Sequence, residues 1–201
     1  MQLRQIAVGG FDHNFSYLVY DGASGMAVDP AGPPELLHDA IADAGIKTLD
    51  RILLTHGHSD HRDALAAVKT EFPGAEVCGH PGNPAADRHL SDGECLRCGD
   101  CLVETLFTPG HSRDSVSYLV NGEALLTGDT LFIDYVGFAA RPDSLYASLK
   151  RIAKLSGQIV IYPGHDYGSV PFRTLAEEKR LNPYLACRDL TEFKTKLKDM
   201  T

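Results

Sequence analysis

Short apolar runs alternate with helical patterns along the whole chain. Leu3 to Val8, Phe15 to Tyr20 and Met26 to Val28 read as strands divided by Gly and Asp turns. Pro34 to Ala44 carries Leu36, Leu37, Ala40 and Ile41 at the spacing of an amphipathic helix, with proline at its start. Leu49, Ile52, Leu53 and Leu54 form the next strand-like run, Asp63 to Phe72 a helix, and Ala75 to Gly79 a strand. The second half repeats the theme. Strands are predicted near Leu102 to Phe107, Val116 to Val120, Glu123 to Leu126 and Gln158 to Tyr162, with a helix from Asp143 to Leu155. Phe172 to Leu181 and Thr191 to Lys198 read as short helices. Strands interleaved with helices predict an α/β protein with two sheets covered by helices. With no low-complexity segment and no close internal repeat, residues 1–201 read as a single domain with a short helical tail from about residue 172.

Chemistry enters where the strand ending at Leu54 stops. Residues 55–61 read Thr-His-Gly-His-Ser-Asp-His, three imidazoles and a carboxylate in seven residues. A single histidine there would pass as a polar turn residue, but this density of ligand-type side chains points to a metal site on a functional loop. Imidazole nitrogen and carboxylate oxygen suit zinc, iron or manganese. Gly57 lets the backbone bend so that His56 and His58 converge on one ion, while Asp60 and His61 point elsewhere, toward a second. One short loop seldom closes a metal site, so further ligands are expected downstream. Three segments share a local grammar of apolar strand, glycine, then ligand-type side chain: His111 in Thr-Pro-Gly-His-Ser, Asp129 in Thr-Gly-Asp-Thr and His165 in Tyr-Pro-Gly-His-Asp-Tyr. His38 and His89, in helical or polar stretches, are expected to be exposed; His80, after the strand ending at Gly79, sits near the edge of such a site at most.

Composition narrows the classes. At 201 residues, 43% hydrophobic and 23% charged, the chain is ordinary for one globular domain. A formal charge of -8 and a pI near 5.5 argue against a nucleic-acid surface, which needs a clustered basic face. No segment approaches the apolar length of a membrane span, and no signal peptide is evident, so a cytoplasmic enzyme without membrane partners is expected. Cys95, Cys98 and Cys101 form C-x2-C-x2-C, but an iron-sulfur run wants a fourth cysteine where Thr105 stands. The segment reads instead as a hairpin with Gly99 at its tip. An odd total of five cysteines predicts reduced thiols.

The ordered set His56, His58, Asp60, His61, His111, Asp129 and His165 resembles the metallo-β-lactamase superfamily, and the Pro-Gly-His and Tyr-Pro-Gly-His-Asp-Tyr-Gly contexts resemble its glyoxalase II and persulfide dioxygenase branch. The match runs from about Phe15 to Leu185. The resemblance implies a single-domain, four-layer αββα sandwich with the site on one edge of the two sheets. It implies one ion held by His56, His58 and His111, a second by Asp60, His61 and His165, and Asp129 bridging them. It gives Asp29 the role of orienting the His-rich loop through hydrogen bonds.

The function that follows is metal-dependent hydrolysis of a thioester or related ester, with zinc the expected metal and iron or manganese compatible. Two divalent ions would acidify a water to hydroxide and polarise the carbonyl. Asp60 and Asp129 are the catalytic candidates, Asp60 also orienting the nucleophile. Tyr167 matches a tyrosine that contacts glutathione in the family. Relatives of this branch carry a Gly-Arg-x-Asp-like segment after the bridging Asp that helps to seat glutathione. This chain has Asp134, Tyr135, Val136, Gly137, Phe138, Ala139, Ala140 and Arg141 there, with Arg141 the one cation and Tyr135 and Phe138 an apolar wall. After His111, Ser112-Arg113-Asp114 replaces the usual Pro-Gly, and about 18 residues follow Pro183 where long-form glyoxalase II adds a helical domain. The substrate is expected to be a small molecule, a thiol conjugate in class; a homo-oligomer is left open. The alternative is a persulfide dioxygenase acting on glutathione persulfide through one Fe(II) held by His56, His111 and Asp129. The tail from Arg173 to Pro183 is similar to that of persulfide dioxygenases. A flavodiiron role would place Glu where His58 stands, and a noncatalytic module would explain none of the seven donors.

Overall fold

The computed structural model describes residues 2–9 and 12–198. Its first sheet consists of β1 (Gln2–Gly9), β2 (Asn14–Asp21), β3 (Ser24–Val28), β4 (Thr48–Leu53), β5 (Glu76–Gly79) and β6 (Arg88–His89), side by side in that order. β1 to β3 pair antiparallel. From β3 to β6 the pairing is parallel, with α1 (Pro34–Asp43) and α2 (Leu65–Glu71) crossing over between β3 and β4 and between β4 and β5. The second sheet contains β7 (Cys95–Cys98), β8 (Cys101–Phe107), β9 (Val116–Val120), β10 (Ala124–Gly128), β11 (Val160–Pro163) and β12 (Arg173–Thr174), ordered β12-β11-β10-β9-β8-β7. α3 (Pro142–Ile152) joins β10 to its parallel neighbour β11, and α4 (Leu175–Leu181) and α5 (Leu190–Lys198) complete the chain.

The period-2 alternation of strand side chains divides the interior into three apolar layers. Phe15, Tyr17 and Val19 of β2 face inward to meet Val103, Val116, Tyr118 and Leu126 of the other sheet. Leu18, Ala27 and Ile52 point outward beneath Leu37, Ile41 and Val68. On the far side Leu119, Leu125 and Ile161 pack against Leu145, Leu149, Leu175 and Phe193. Helices on both outer faces and a core between the sheets give the expected αββα sandwich. No helix of the described residues is long and apolar enough to cross a membrane.

Most expected elements form, and the departures have local causes. α2 starts at Leu65 rather than Asp63, because the Asp63 carboxylate accepts from Gly32 N at 2.7 Å instead of capping the helix. The segment expected as one helix from Phe172 opens instead with the short strand β12. Thr174 then caps α4 in a capping box with Glu177. The strand expected from Gln158 begins at Val160, and β6, two polar residues, has too little pattern to be read from sequence. His89 lies on that strand, exposed, and His38 is exposed on α1.

β4 of the first sheet and β8, β10 and β11 of the second deliver their C-terminal ends to one edge. β8 and β10 both run antiparallel to β9, so they point the same way, and β11 follows β10. At this edge the sheets are tied together by Val116 N donating to Thr55 O at 2.8 Å and Phe15 N donating to Gly164 O at 2.8 Å. Tyr17 Oη donates to Pro163 O across the same seam.

The cysteine segment is the expected hairpin, with Cys98 opposite Cys101 and Gly99 at positive φ in the turn. All five cysteines are free, and Cys95 is the exposed one. Burial pushes the Cys78 thiol up to about 12 and the Cys98 thiol up to about 11. At pH 8 a thiol reagent should therefore modify Cys95 rapidly in the native protein and the other four only on unfolding. A Cys95→Ser variant that kept a fast-reacting thiol would contradict this burial pattern.

Candidate metal centre

The edge of the sandwich is organised around a strained aspartate. Asp29, just beyond β3, has φ +46°, a left-handed conformation that non-glycine residues enter rarely. Its buried carboxylate accepts from Thr55 N at 2.7 Å, Thr55 Oγ1 at 2.6 Å and His61 Nδ1 at 3.0 Å. One carboxylate thus fixes both ends of the loop that leaves β4. The loop closes in a single 3-10 turn, Ser59–His61, which brings His61 back into the interior.

The side chains gathered here form two groups of donors: His56, His58, His111 and Asp129, and Asp60, His61 and His165. Asp129 lies between them with its oxygens divided. Oδ1 is 3.2 Å from His61 Nε2 and 3.3 Å from His165 Nε2, whereas Oδ2 is 3.4 Å from His111 Nε2 and 4.0 Å from His56 Nε2. Asp60 Oδ2 is 3.4 Å from His61 Nε2 and 3.6 Å from His165 Nε2, and Asn14 Nδ2 donates to it at 3.0 Å. All seven sequence-predicted ligands are therefore brought together.

Hydrogen bonds at the back of each ring decide what the front presents. His61 Nδ1 donates to Asp29, His165 Nδ1 to Asp12 O at 2.6 Å and His111 Nδ1 to Phe138 O at 3.1 Å. Thr55 Oγ1 donates to Asp29, so toward His56 Nδ1, 3.1 Å away, it can only accept. In its neutral form each of these four imidazoles turns an unprotonated Nε2 inward. His61 Nε2 and His165 Nε2 stand 3.1 Å apart, and His111 Nε2 is 3.0 Å from His58 Nδ1. Buried His56 Nε2 and Asp129 Oδ1 have no aligned hydrogen-bond partner. Facing lone pairs and orphaned buried acceptors are costly unless a cation joins them. The donor set, neutral imidazoles with two carboxylates, fits a first-row divalent ion.

The electrostatics agree. Burial, reinforced by His61, lowers His56 well below the usual imidazole value, and burial also lowers His111. Burial works downward on His61 too, but Asp129 and Asp29 overcome it and hold His61 well above; Asp129 raises His165 in the same way. Burial would raise the Asp129 carboxyl, yet His61 leads the contacts that hold it well below the usual range. Protons drawn to His61 and His165 are what a divalent ion would displace.

Close backbone approach completes the cradle. A Cβ on Gly164 would fall 2.5 Å from Asp129 Oδ1 and 2.8 Å from His61 Cε1. The cavity in front of the donors, about 400 Å³, is lined also by Asp12, Ser59, Phe132, Phe138 and Tyr167. Tyr167 stacks on His165 with rings 4.8 Å apart and 5° from parallel. Burial, then a hydrogen bond with Asp12, raises its phenol above the usual value. Tyr135 and Phe138 are exposed beside an adjoining groove. Arg141 lines neither space; its backbone N donates to Gly110 O at 2.8 Å and its side chain is exposed. Arg113 is likewise exposed, whereas Asp114 accepts from Ser112 Oγ at 2.7 Å. Asn14 and the Asp12 carbonyl were not legible as site groups, since nothing in their local sequence marks them; Thr55 opens the His-rich run, but its role behind His56 and beside Asp29 was not read. The tail motif is used beside the cavity: Asn182 Nδ2 donates to Tyr135 O at 2.9 Å, and Arg173 pairs with Asp134 and with buried Glu178.

Comparison with known proteins places this geometry. A family model described as the metallo-beta-lactamase superfamily matches residues 9–165. A hydroxyacylglutathione hydrolase from Francisella tularensis subsp. holarctica is 33% identical over 195 residues, covering 92% of this chain and 77% of the relative. The crystal structure of ETHE1 from Myxococcus xanthus superposes with a TM-score of 0.88 at 31% identity, covering 100% of this chain and 92% of that one. The crystal structure of TTHA1623 in a di-iron-bound form superposes with a TM-score of 0.75 at 29% identity, covering 89% and 98%.

Replacing Asp29 with Asn, which tolerates left-handed φ, removes the charge behind His61 while sparing the fold. Metal affinity measured by chelator competition should fall about 10- to 100-fold; unchanged affinity would remove Asp29 from the site. Gly164→Ala should retain the far-UV spectrum and lose at least half of the bound metal by elemental analysis, and full metal content would refute the close approach.

Proposed function

The chain belongs to the metallo-beta-lactamase superfamily, and from that premise we propose that it is a two-metal hydrolase cleaving thioesters of small-molecule thiol conjugates. The observation that carries the proposal is the division of Asp129, one oxygen toward His61 and His165 and the other toward His111 and His56. A carboxylate placed between two complete donor sets suits two ions better than one. The Francisella hydrolase and the di-iron relative support the reaction class and the ion count.

Divalent ions bound here would supply Lewis acidity, lowering the pKa of water and polarising an acyl carbonyl. The chain's own groups do the rest. Asp60, partly exposed to the cavity and steadied by Asn14, is the carboxylate that takes the proton of the attacking water. Asp129 and the imidazoles, locked by their Nδ1 donors, hold the metal positions without rearrangement. Tyr167, kept protonated, presents a polar edge at the cavity mouth. Water oxygen bonds to the acyl carbon, the carbon–sulfur bond breaks, and the sulfur leaves as a thiolate. A thiol with an ordinary pKa of about 8.5 needs no strong general acid to leave, which fits a cavity whose one phenol holds its proton.

A second reading rests on the ETHE1 structure, which this chain matches over its full length. There one iron held by His56, His111 and Asp129 would leave positions for oxygen and a persulfide.

Anaerobically purified protein should carry about two divalent ions per chain and hydrolyse thioesters, and chelation should abolish turnover. Asp129→Ala should lower kcat/KM by more than about 100-fold, the upper range for loss of a merely supporting contact. One iron per chain with oxygen uptake on glutathione persulfide, and no thioester turnover, would replace this reading with the second.

A further inference from the structure

We infer that Cys98 and Cys101 are a reversible dithiol/disulfide site at the tip of the β7–β8 hairpin, and that its reduced state clasps the two sheets together at the end of β8 remote from the metal donors. The two cysteines are paired directly across the hairpin, with Gly99 and Asp100 between them. Opposed residues of such a pair hold their Cα atoms about 4.5 to 5.5 Å apart, inside the span of about 4.4 to 6.8 Å that a disulfide needs. Both side chains point the same way. Leu96 and Cys98 of β7 and Cys101 and Val103 of β8 are buried in the layer between the sheets, whereas Cys95 and Arg97 are exposed on the other face. Cys95 therefore cannot join the pair. Cys78 is committed to Glu76 on β5, and Cys187 lies in the outer layer beneath α3 and α5.

The reduced thiols are fastened to the first sheet. Cys101 Sγ donates to Tyr20 O at 3.4 Å, and the Cys98 sulfur meets the backbone of Asp21, the next residue along β2. Beside them Asp100 N donates to Asp21 Oδ2 at 2.8 Å, and a Cβ on Gly99 would fall 2.5 Å from that same oxygen. The turn thus rests on the end of β2. A disulfide carries no S–H, so closing it removes the donor that Tyr20 O receives. Burial first, then Asp50 and Cys101, pushes the Cys98 thiol up to about 11, and a thiolate forms readily only when the tip opens. Opening is local: β7 is the edge strand of its sheet, paired on one side, and Gly99 and Asp100 are exposed, so few contacts break. The oxidant is a small organic disulfide. One cysteine thiolate attacks a sulfur of that disulfide, whose S–S bond breaks to release a first thiol; the second cysteine thiolate attacks the protein sulfur of the mixed disulfide and releases a second thiol. The protein gives up two protons and two electrons, and the two departing thiols take them.

Metal-loaded Cys95→Ser protein, in which four thiols remain, is incubated under native conditions with hydroxyethyl disulfide, then mapped by mass spectrometry. It should lose two of the four thiols and two hydrogens in mass, with the new bond between Cys98 and Cys101, and dithiothreitol should restore both thiols. The reaction should run at least about tenfold slower than modification of Cys95 in the unaltered protein, because the tip must open first. Amide hydrogen exchange compares the two redox states: the Asp100 N–H, bonded to Asp21 in the reduced form, should exchange at least about tenfold faster after oxidation. Retention of all four thiols by the native protein, while the unfolded chain closes the disulfide, overturns the site. A mixed disulfide that persists on Cys98 or Cys101, or a bond to Cys78 or Cys187, overturns it equally. A Cys98–Cys101 disulfide with unchanged Asp100 exchange overturns the clasp.

Discussion

The constraint on which this structure depends is that electron pairs of several imidazoles and two carboxylates meet in one small, largely buried space. Each ring is fixed from behind: His61 by Asp29, His165 by the Asp12 carbonyl, His111 by the Phe138 carbonyl and His56 by Thr55. These contacts keep the Nδ1 proton of each ring at its back, so without an added proton the inward nitrogens cannot relieve one another by hydrogen bonding. Like poles held 3.1 Å apart, as at His61 and His165, make a binding site for positive charge. The arrangement also gives the left-handed Asp29 a use, since from that backbone conformation one carboxylate serves Thr55 and His61 together.

Neither sheet makes this centre alone. The first contributes His56, His58, Asp60 and His61 beyond β4; the second contributes His111, Asp129 and His165 beyond β8, β10 and β11. Holding such groups together costs free energy that local contacts do not offset, and the compensation is remote, in three apolar layers. Their strands reach the edge in register because the sheets are tied there by Val116 to Thr55 and by Phe15 to Gly164. Packing quality far from the donors therefore governs the geometry of the donors.

The donors were legible in the sequence because each follows an apolar strand and a turn residue, a pattern confined to a few neighbouring positions. The sandwich was legible for a related reason: the largely apolar runs of β9 and β10 report strands covered on both faces. What could not be read was whatever depends on distant parts of the chain. Asn14 meets Asp60 across 46 positions and Asp12 meets His165 across 153. Arg141 illustrates the converse. Its charge and its place after the aspartate suggested a substrate contact, but at the start of α3 it is exposed and outside the lining, and Lys194 and Lys198 from α5 line the groove instead.

The tail motif shows how the wall beside the donors is held from its far side. Asp134 has φ +68°, and its carboxylate accepts from Ser169 N at 3.0 Å and pairs with Arg173. Buried Glu178 accepts from Asp134 N at 3.1 Å and pairs with Arg173, while Asn182 anchors the Tyr135 carbonyl. The loop carrying Phe132, Tyr135 and Phe138 is thus clamped to β12 and α4, and meets His111 through the Phe138 carbonyl. Removing one partner of a buried ion pair is far more disruptive than replacing an exposed side chain, so the clamp resists change while the rings it displays do not. Phe138, with its side chain in solvent and only its carbonyl committed to His111, can be exchanged without disturbing the donors. A centre fixed by backbone and buried carboxylates, faced by a wall whose side chains are free to vary, separates the chemistry of the reaction from the choice of substrate.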